Sequence, residues 1–321
     1  MKLAIVGTGM IVTELLPVLK RVESVSVEAI YGRNRSKAEQ SASEHGIARV
    51  FDDYDELLSS GAAEFVYIGL INSLHFEFAR RALEAGVNVI VEKPFAIKSS
   101  EVEEIISMAR AKKLYVFEAI TTLHLPNYAA IRETLPKLGR IRAVQANYSQ
   151  YSSRYDKYKA GVVSPSFDPK AGGGALADIN IYNLNFIVGL FGEPQSVEYV
   201  ANRGFNGVDT SGVVLMKYGD FIATAWAAKD SGSPSFILIQ GEDGWLRTEG
   251  APNELKAFDV CIGGALNGHE LNRREHRMEH EFEEFAATYA AGDYEKMSAG
   301  LDVSLAVQRT FERAKKTLEA E

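Results

Sequence analysis

Leu3-Ala4-Ile5-Val6-Gly7-Thr8-Gly9-Met10-Ile11-Val12 passes from an apolar strand through two glycines into a helical pattern that continues at Leu15, Leu16 and Leu19. Four apolar residues bounded by a turn read as a buried parallel strand. Strand, glycine turn and helix are the setting that the dinucleotide fingerprint demands. Gly7 permits the tight turn, and Gly9 lets the backbone approach a pyrophosphate. The helix start then offers N–H groups and a partial positive charge to the anion. Gly7, Thr8, Gly9 and Met10 are therefore the expected pyrophosphate contacts. A purely structural glycine turn is the plain alternative; a clean strand directly before it favours the nucleotide. The third glycine position holds Val12, which predicts looser packing of helix on strand.

Working outward, Val25 to Tyr31 is the second strand, and its end bears on the cofactor. A carboxylate there would bond the ribose 2′-hydroxyl and disfavour a 2′-phosphate. The segment instead reads Tyr31-Gly32-Arg33-Asn34-Arg35-Ser36-Lys37, with no carboxylate and three cations. Guanidinium groups bind phosphate by paired hydrogen bonds. NADP(H) is expected over NAD(H), with Arg33 the best phosphate contact and Asn34 beside it. The competing account is a set of solvated charges at a helix start, where Ser36 and Glu39 spell a capping box.

The alternation of strand and helix continues. Phe65 to Gly69 is a strand, Leu70 follows it, and Asn72-Ser73-Leu74-His75 opens a helix that stops at Gly86. Leu70, Asn72 and His75 lie at the cleft end of that strand and are expected near the cofactor; a plain helix-start histidine is an equal account of His75. Val89-Ile90-Val91 is a further apolar strand, ending abruptly on Glu92-Lys93-Pro94. A lysine there must be desolvated unless it has a task. In open α/β sheets ligands sit at that end of the strands, so Glu92 and Lys93 are read as facing a ligand cleft rather than as solvated strand-end charges. Ser100 with Glu103 caps the next helix, and Leu114 to Phe117 is a strand ending on Glu118. This pattern predicts an α/β fold with a doubly wound parallel sheet over residues 1–119.

A second domain is expected over 120–321. Asn127 to Lys137 is helical, Ile141 to Tyr151 alternates like a half-buried strand, and a polar loop runs from Ser152 to Lys170. Gly172-Gly173-Gly174 allows a close approach of backbone to something, and the helix after it carries Asp178 and Tyr182 on one face. Such a pair suits a hydroxyl-bearing substrate and a proton transfer. It equally suits an aspartate answering the helix dipole beside a packing tyrosine. Runs at Val197–Arg203, Ser211–Lys217, Phe221–Ala228, Phe236–Gln240 and Trp245–Thr248 predict an open antiparallel sheet. Phe221, Ile222, Trp226 and Phe236 are candidates for pairing with another copy. Helices at about Glu275–Ala291 and Ser298–Leu318 close the chain, with Glu279 and His280 read as surface charges.

With 321 residues the chain has room for two cores. Its 35 basic and 43 acidic residues give a net charge of -8, which argues against a nucleic-acid partner. One cysteine, Cys261, excludes an internal disulfide and fits a reducing compartment. No signal-peptide core, membrane-spanning run or metal-ligand cluster is read, and a cytoplasmic location is expected.

Gly7-Thr8-Gly9, Asn72-Ser73-Leu74-His75, Glu92-Lys93-Pro94 and the run from Gly172 to Tyr182 together resemble the Gfo/Idh/MocA oxidoreductase family. The resemblance implies a Rossmann domain followed by an α/β domain with a large open sheet. It also implies nicotinamide-dependent hydride transfer on a carbohydrate-like or cyclic diol substrate, and a homodimer or homotetramer built through the sheet. By position it makes Lys93 the catalytic lysine with a cis bond to Pro94, sets Glu92 beside the nicotinamide ribose, and gives Asp178 a substrate hydroxyl. Tyr182 stands where many members have histidine, as in the branch of glucose–fructose oxidoreductase and dimeric dihydrodiol dehydrogenase. Asn180 departs from a usual glycine. A phenol ionises near pH 10, so Tyr182 as the acid–base group needs a cation, and Lys93 is the natural one; the roles could be exchanged. Two other readings stay open: a glycosidase working by transient oxidation and elimination, and a non-catalytic nucleotide sensor.

Overall fold

Six short strands lie side by side in the first 119 residues of the computed structural model, which describes residues 1–319. They are β1 (Lys2–Val6), β2 (Ser26–Tyr31), β3 (Arg49–Phe51), β4 (Phe65–Ile68), β5 (Asn88–Glu92) and β6 (Val116–Ala119). All pair in parallel, in the order β3-β2-β1-β4-β5-β6. The chain crosses between them through α1 (Met10–Leu19), α2 (Arg35–His45), α3 (Tyr54–Ser59), α4 (His75–Glu84) and α5 (Ser99–Lys112). This is the doubly wound arrangement, and its order reverses between β1 and β4, where ligands bind in such sheets. The interior strands are wholly apolar and buried, as at Leu3–Val6, Phe65–Ile68 and Val89–Val91.

The second sheet has eight strands: β7 (Ile141–Ser149), β8 (Ser196–Arg203), β9 (Asp209–Lys217), β10 (Ile222–Ala228), β11 (Phe236–Gly241), β12 (Gly244–Glu249), β13 (Ala257–Ile262) and β14 (Ala265–His269). Their order is β14-β13-β12-β11-β7-β10-β9-β8. One pair, β7 with β10, is parallel, because the chain leaves the sheet after β7 and returns at the far edge as β8. Helix α6 (Pro126–Thr134) lies ahead of β7, and between β7 and β8 come α7 (Tyr155–Lys159) and α8 (Ile181–Phe191), the last preceded by a π-helical turn over Leu176–Asn180. Among the described residues, the helical segment Pro169–Phe191 is long and apolar enough to cross a membrane. Most of it is buried against the sheet, with Asn180 and Asn183 bonded to the Ala225 and Trp226 carbonyls, as befits a core helix.

The last two helices are α9 (Arg277–Ala290) and α10 (Tyr294–Glu319). By packing, residues 274–305 join 1–119 in one compact unit, and 120–273 with 306–321 form the other. The sequence pattern alone places all of 120–321 in a second domain. Aromatic burial is the reason for the difference: Phe285 stacks on Phe117 at 4.5 Å, and Tyr289 meets Phe65 edge-on at 4.9 Å. Phe282 and Phe285 are 0% and 1% exposed, so α9 is part of the first sheet's core. From Ala306 onward, α10 instead serves the second unit, where Thr317 Oγ1 accepts from the Tyr199 amide at 2.9 Å.

The glycine turn is fixed by a backbone crossing. Gly7 has φ +124°, and a Cβ there would stand 2.5 Å from the Gly69 carbonyl oxygen. Val12 is 1% exposed, and its Cγ2 would lie 2.9 Å from a Cβ on Gly69. The close packing that a third glycine supplies from the helix side is thus supplied here from the end of β4. Gly9 differs: its φ is -83°, and a Cβ would meet only the Gly69 oxygen at 3.9 Å. Gly7→Ala is therefore expected to destabilise by about 2 kcal/mol or more, and Gly9→Ala by under about 1 kcal/mol. Urea unfolding of the two variants tests this; equal losses would refute the division.

Candidate functional site

In the first unit, Gly9 caps α1 with extended backbone, and Met10 at the first helical position is 68% exposed. The leading amides of α1 have no acceptor within the helix, as at any helix start. Among the described residues a Cβ on Gly9 would meet only the Gly69 oxygen, at 3.9 Å, so the space over the helix start is open to an anion. The residues present therefore fit a dinucleotide pyrophosphate. Gly32 follows β2, and a Cβ there would sit 3.0 Å from Thr8 Cγ2, so this turn and the glycine turn are packed together. Leu70 lies over Gly7, and Asn72 opens a short 3-10 turn, both partly exposed.

The basic cluster after β2 is not uniform. Asn34, not Ser36, caps α2, its side chain accepting from the Lys37 amide at 3.0 Å. Glu39, expected in a capping box, pairs instead with Arg35 at 2.9 Å, and Arg35 also reaches Asp52 at 3.1 Å. Arg33 is exposed and holds no ion pair among the described residues. Of the two guanidinium groups in the cluster, it is the one not committed to a carboxylate.

At the end of β5, burial separates two neighbours. Glu92 is 8% exposed; Tyr67 Oη donates to its Oε1 at 2.5 Å, and the Lys93 amide donates to Oε2 at 3.2 Å. From Val89 to Ala96, Lys93 is the one residue not buried. The Lys93–Pro94 peptide is cis, as the resemblance implied. His75 is corrected: it is fully buried and offers no face to a ligand. Its Nδ1 lies 2.9 Å from the Pro94 carbonyl and its Nε2 3.1 Å from the Leu70 carbonyl, so it ties the loop after β4 to the bend after β5. Burial drives its pKa down.

Beneath this bend lie carboxyls that the sequence did not mark. Glu118 is 6% exposed, and its Oε1 accepts from the Phe95 amide at 3.1 Å. Burial pushes its pKa up to about 7, with Glu92 adding to the rise. Glu281 on α9 is 1% exposed and is raised well above the usual carboxylate range, first by burial and then by Glu92. Glu279, read as a surface charge, is 5% exposed; Arg21 pairs with it at 2.8 Å, and its Oε1 accepts from the His276 amide at 3.1 Å at the start of α9.

In the second unit, the helical stretch from Ala175 to Val188 is buried at every position except Asp178 and Tyr182. Its π turn includes Asp178 itself, and such turns are frequent at functional sites. Tyr182 packs beside Tyr148, ring centroids 6.0 Å apart. The glycine run serves the protein rather than a ligand. A Cβ on Gly173 would stand 2.4 Å from the Pro165 carbonyl, and one on Gly174 2.0 Å from Asp209 Oδ1. Asn180, at the position of a usual glycine, is fully buried and bonds the Ala225 carbonyl at 3.0 Å, so it forms no part of an open wall. The residue missed here is Lys229, 2% exposed, whose Nζ lies 2.7 Å from Asp178 Oδ2.

Comparison with known proteins matches residues 1–120 to the Gfo/Idh/MocA oxidoreductase family, NAD-binding Rossmann fold. Residues 129–247 match the carboxyl-terminal domain of the same family. The uncharacterized oxidoreductase YgjR of Escherichia coli is 37% identical over 89% of this chain and 87% of its own. The scyllo-inositol 2-dehydrogenase (NADP(+)) IolU of Bacillus subtilis is 33% identical over 99% of this chain and 97% of its own. Among solved structures, the 3-ketoreductase KijD10 of Actinomadura kijaniata, in complex with NADP and TDP-benzene, superposes with a TM-score of 0.85 at 20% identity, covering 99% of this chain and 97% of that one.

The raised Glu118 pKa has a sign. Below about pH 4.5 the carboxyl is protonated in both states; between 4.5 and about 7 the folded chain keeps a proton that the unfolded chain releases. Stability is therefore lost as pH rises through that window. Glu118→Gln keeps an acceptor for Phe95 and is expected to unfold at progressively higher urea relative to the parent from about pH 5 to about pH 8. A difference that stays constant across that range would refute the buried titration.

Proposed function

Because the chain belongs to the Gfo/Idh/MocA family of NAD(P)-binding oxidoreductases, we propose that it interconverts a secondary alcohol and a carbonyl on a sugar, polyol or cyclic diol, using NADP(H) in preference to NAD(H). The nicotinamide, when bound, supplies or takes up the hydride at C4. The chain's own residues hold the cofactor, hold the substrate and move one proton on the reacting oxygen. The observation that carries this reading is exposure: a helix buried from Ala175 to Val188 opens only at Asp178 and Tyr182. A tyrosine and an aspartate kept accessible on a core helix have polar work that packing does not explain.

In this reading Gly7, Thr8, Gly9 and Met10 give backbone to the pyrophosphate, with Leu70 and Asn72 beside it. Glu92 lies by the nicotinamide ribose and is fixed there by Tyr67. Arg33 takes the 2′-phosphate by charge-assisted hydrogen bonds. Asn34 spends its Oδ1 on the helix cap and keeps its amide N–H₂ as a donor beside Arg33. The absence of a carboxylate at the end of β2 supports NADP, as does the NADP(+) in the name of the relative IolU. Lys93 is the catalytic lysine, Tyr182 the proton donor or acceptor, and Asp178 the holder of a substrate hydroxyl. His75 positions the loops and touches no substrate.

We also infer that the outer face of the second sheet pairs with another copy. Strand register sets Val200, Val213, Trp226, Asn147 and Phe236 in one row across five strands. Val200 and Trp226 are 51% and 54% exposed, as Ile222 is beside them at 54%. Phe221 does not join them, for it stacks on Tyr218 at 4.5 Å.

Nicotinamide absorbance with NADP⁺ or NAD⁺ against polyols, sugars and trans-dihydrodiols tests the reaction. Lys93→Met is expected to abolish turnover with NADP affinity kept within a few-fold. Tyr182→Phe should lower kcat by roughly 10²–10⁴, and Arg33→Ala should raise KM for NADP⁺ by about tenfold or more while sparing NAD⁺. Normal turnover in Tyr182→Phe would exclude it as the acid–base group. Cleavage of a nitrophenyl glycoside without net cofactor change would replace the reaction with glycosidase chemistry. For assembly, light scattering should show an oligomer that Trp226→Arg converts to monomer; a monomeric parent would refute the pairing.

A further inference from the structure

Helix α9 lays one row of side chains along β6. Arg277, Glu281, Phe285 and Tyr289 recur at four-residue intervals and share a face. Phe285 stacks on Phe117 at 4.5 Å, and Tyr289 meets Tyr115 edge-on at 5.2 Å. The helix therefore runs antiparallel to the strand. One turn before Phe285, Glu281 comes level with Ala119, which the register sets beside Glu92. Register also puts Phe117, Ile90 and Tyr67 in one row, so Glu92, two residues past Ile90, points to the side that α9 covers. Glu118 lies between Phe117 and Ala119, its Oε1 accepting from the Phe95 amide. Three buried carboxyls thus gather at the carboxyl end of β5. Hydrogen bonds do not account for them: Glu118 Oε2 and Glu281 Oε1 are buried without a hydrogen-bond partner among the described residues. An ionised oxygen left so is strongly disfavoured, and a proton relieves it. The charges facing the group are Lys93 from the bend and Arg277 and Glu284 from α9, with the Ser304 hydroxyl on α10. Two cations therefore answer four carboxyls, and one of them, Arg277, also pairs with Glu14 at 2.7 Å.

We propose that Glu92, Glu118 and Glu281 share a proton that the nicotinamide cation of NADP⁺ expels and the neutral ring of NADPH leaves in place. The inference rests on the placement of Glu92 by the nicotinamide ribose, and adds to it a link between the redox state of the cofactor and the protonation of the chain. The oxidised ring carries a positive charge that the reduced ring lacks. A cation brought beside a buried carboxyl favours its ionised form, and strongly so where water does not screen the pair. Binding of NADP⁺ then converts a carboxyl to a carboxylate and releases one proton to solvent. When the ring takes up hydride its charge is gone, and the carboxylate regains a proton. The overall reaction, alcohol and NADP⁺ to carbonyl, NADPH and one proton, keeps its balance. Glu92 raises the pKa of both other carboxyls, and Glu118 that of Glu281, so the three respond as one group. With Glu118 at about 7, that response falls in the neutral range.

The test uses the full-length protein and no substrate. Calorimetric titration with NADP⁺ and with NADPH, each at pH 7 in two buffers of different ionisation enthalpy, counts the protons exchanged. The 2′-phosphate titrates near pH 6 in both forms, so it cancels in the difference. NADP⁺ is expected to release about half a proton or more beyond NADPH. Its affinity relative to NADPH should then rise about threefold or more per pH unit from about pH 6 to about pH 8. Glutamine stands in for a protonated carboxyl. Glu118→Gln and Glu281→Gln should each lessen the difference, and the double variant should abolish it. Should no variant fold, the infrared spectrum of the parent decides: NADP⁺ is expected to remove a protonated-carboxyl C=O band that NADPH leaves. Equal proton counts for the two cofactors overturn the proposal, as does a difference retained in the folded double variant or a carboxyl band that NADP⁺ leaves unchanged. Binding of neither cofactor would remove the proposed function and this inference with it; binding of both with equal counts removes the inference alone.

Discussion

A charge carried out of a buried strand has to be answered, because its full desolvation costs several kcal/mol. Both units of this chain are built around that constraint, in inverse form. At the end of β5 the buried group is an acid: Glu92 is answered by the Tyr67 hydroxyl and the Lys93 amide, and the lysine side chain next to it stays accessible. At the end of β10 the buried group is a lysine: Lys229 is answered by Ser166 and Asp178, and the aspartate stays accessible. In each case the buried partner spends its hydrogen bonds on the protein and so fixes the neighbour that faces outward. The accessible groups are the ones proposed to meet substrate.

What is local was legible. Strand, glycine turn and helix at Leu3–Leu19 needed only consecutive residues, and so did the missing carboxylate after Tyr31. Contacts across the sheet were not legible. Val12 predicted loose packing, but Gly69, across the turn on the end of β4, removes the side chain that would have forced it. The helix starts slipped for a related reason. Ser36 and Ser100 are good caps by type, yet α2 and α5 begin earlier, at Asn34 and Lys98, where asparagine and a reach-back from Glu101 satisfy the first amides. Capping rules rank residues without saying which of two nearby candidates the preceding strand delivers into extended geometry.

Long-range partners account for the remaining surprises. The Gly172–Gly174 run announced a close approach of backbone to something without saying to what, and at Gly173 and Gly174 it is the Pro165 carbonyl and the Asp209 carboxylate. β14 was missed because every residue from Ala265 to Gly268 is exposed, and an edge strand without a buried face has no hydrophobic period to read. Helix α9 was assigned to the wrong unit because an amphipathic face announces that it will be buried, not against what. Lys229 is different: the cue was present. An apolar strand ending on lysine singled out Lys93, and Phe221–Ala228 ending on Lys229 has the same form. Solvated strand-end lysines are common enough that the pattern needed the pairing with Asp178 to become specific.

The accessibility of Asp178 and Tyr182 follows from polar residues that never reach solvent. A helix packed only by apolar side chains is free to settle over a range of rotations. This one is not, because Asn180 and Asn183 each bond a carbonyl of β10, at 3.0 and 2.8 Å, and Asn183 also donates to Asn180 Oδ1 at 2.8 Å. At about 100° per residue, positions 180 and 183 lie roughly opposite 178 and 182. Holding the two asparagines on β10 therefore turns the aspartate and the tyrosine away from the sheet. Asparagine where a glycine is usual thus acts as a rotational lock, and Lys229, on the residue after the same strand, takes hold of Asp178 from the buried side. One strand, β10, sets both the rotation of the helix and the orientation of its carboxylate.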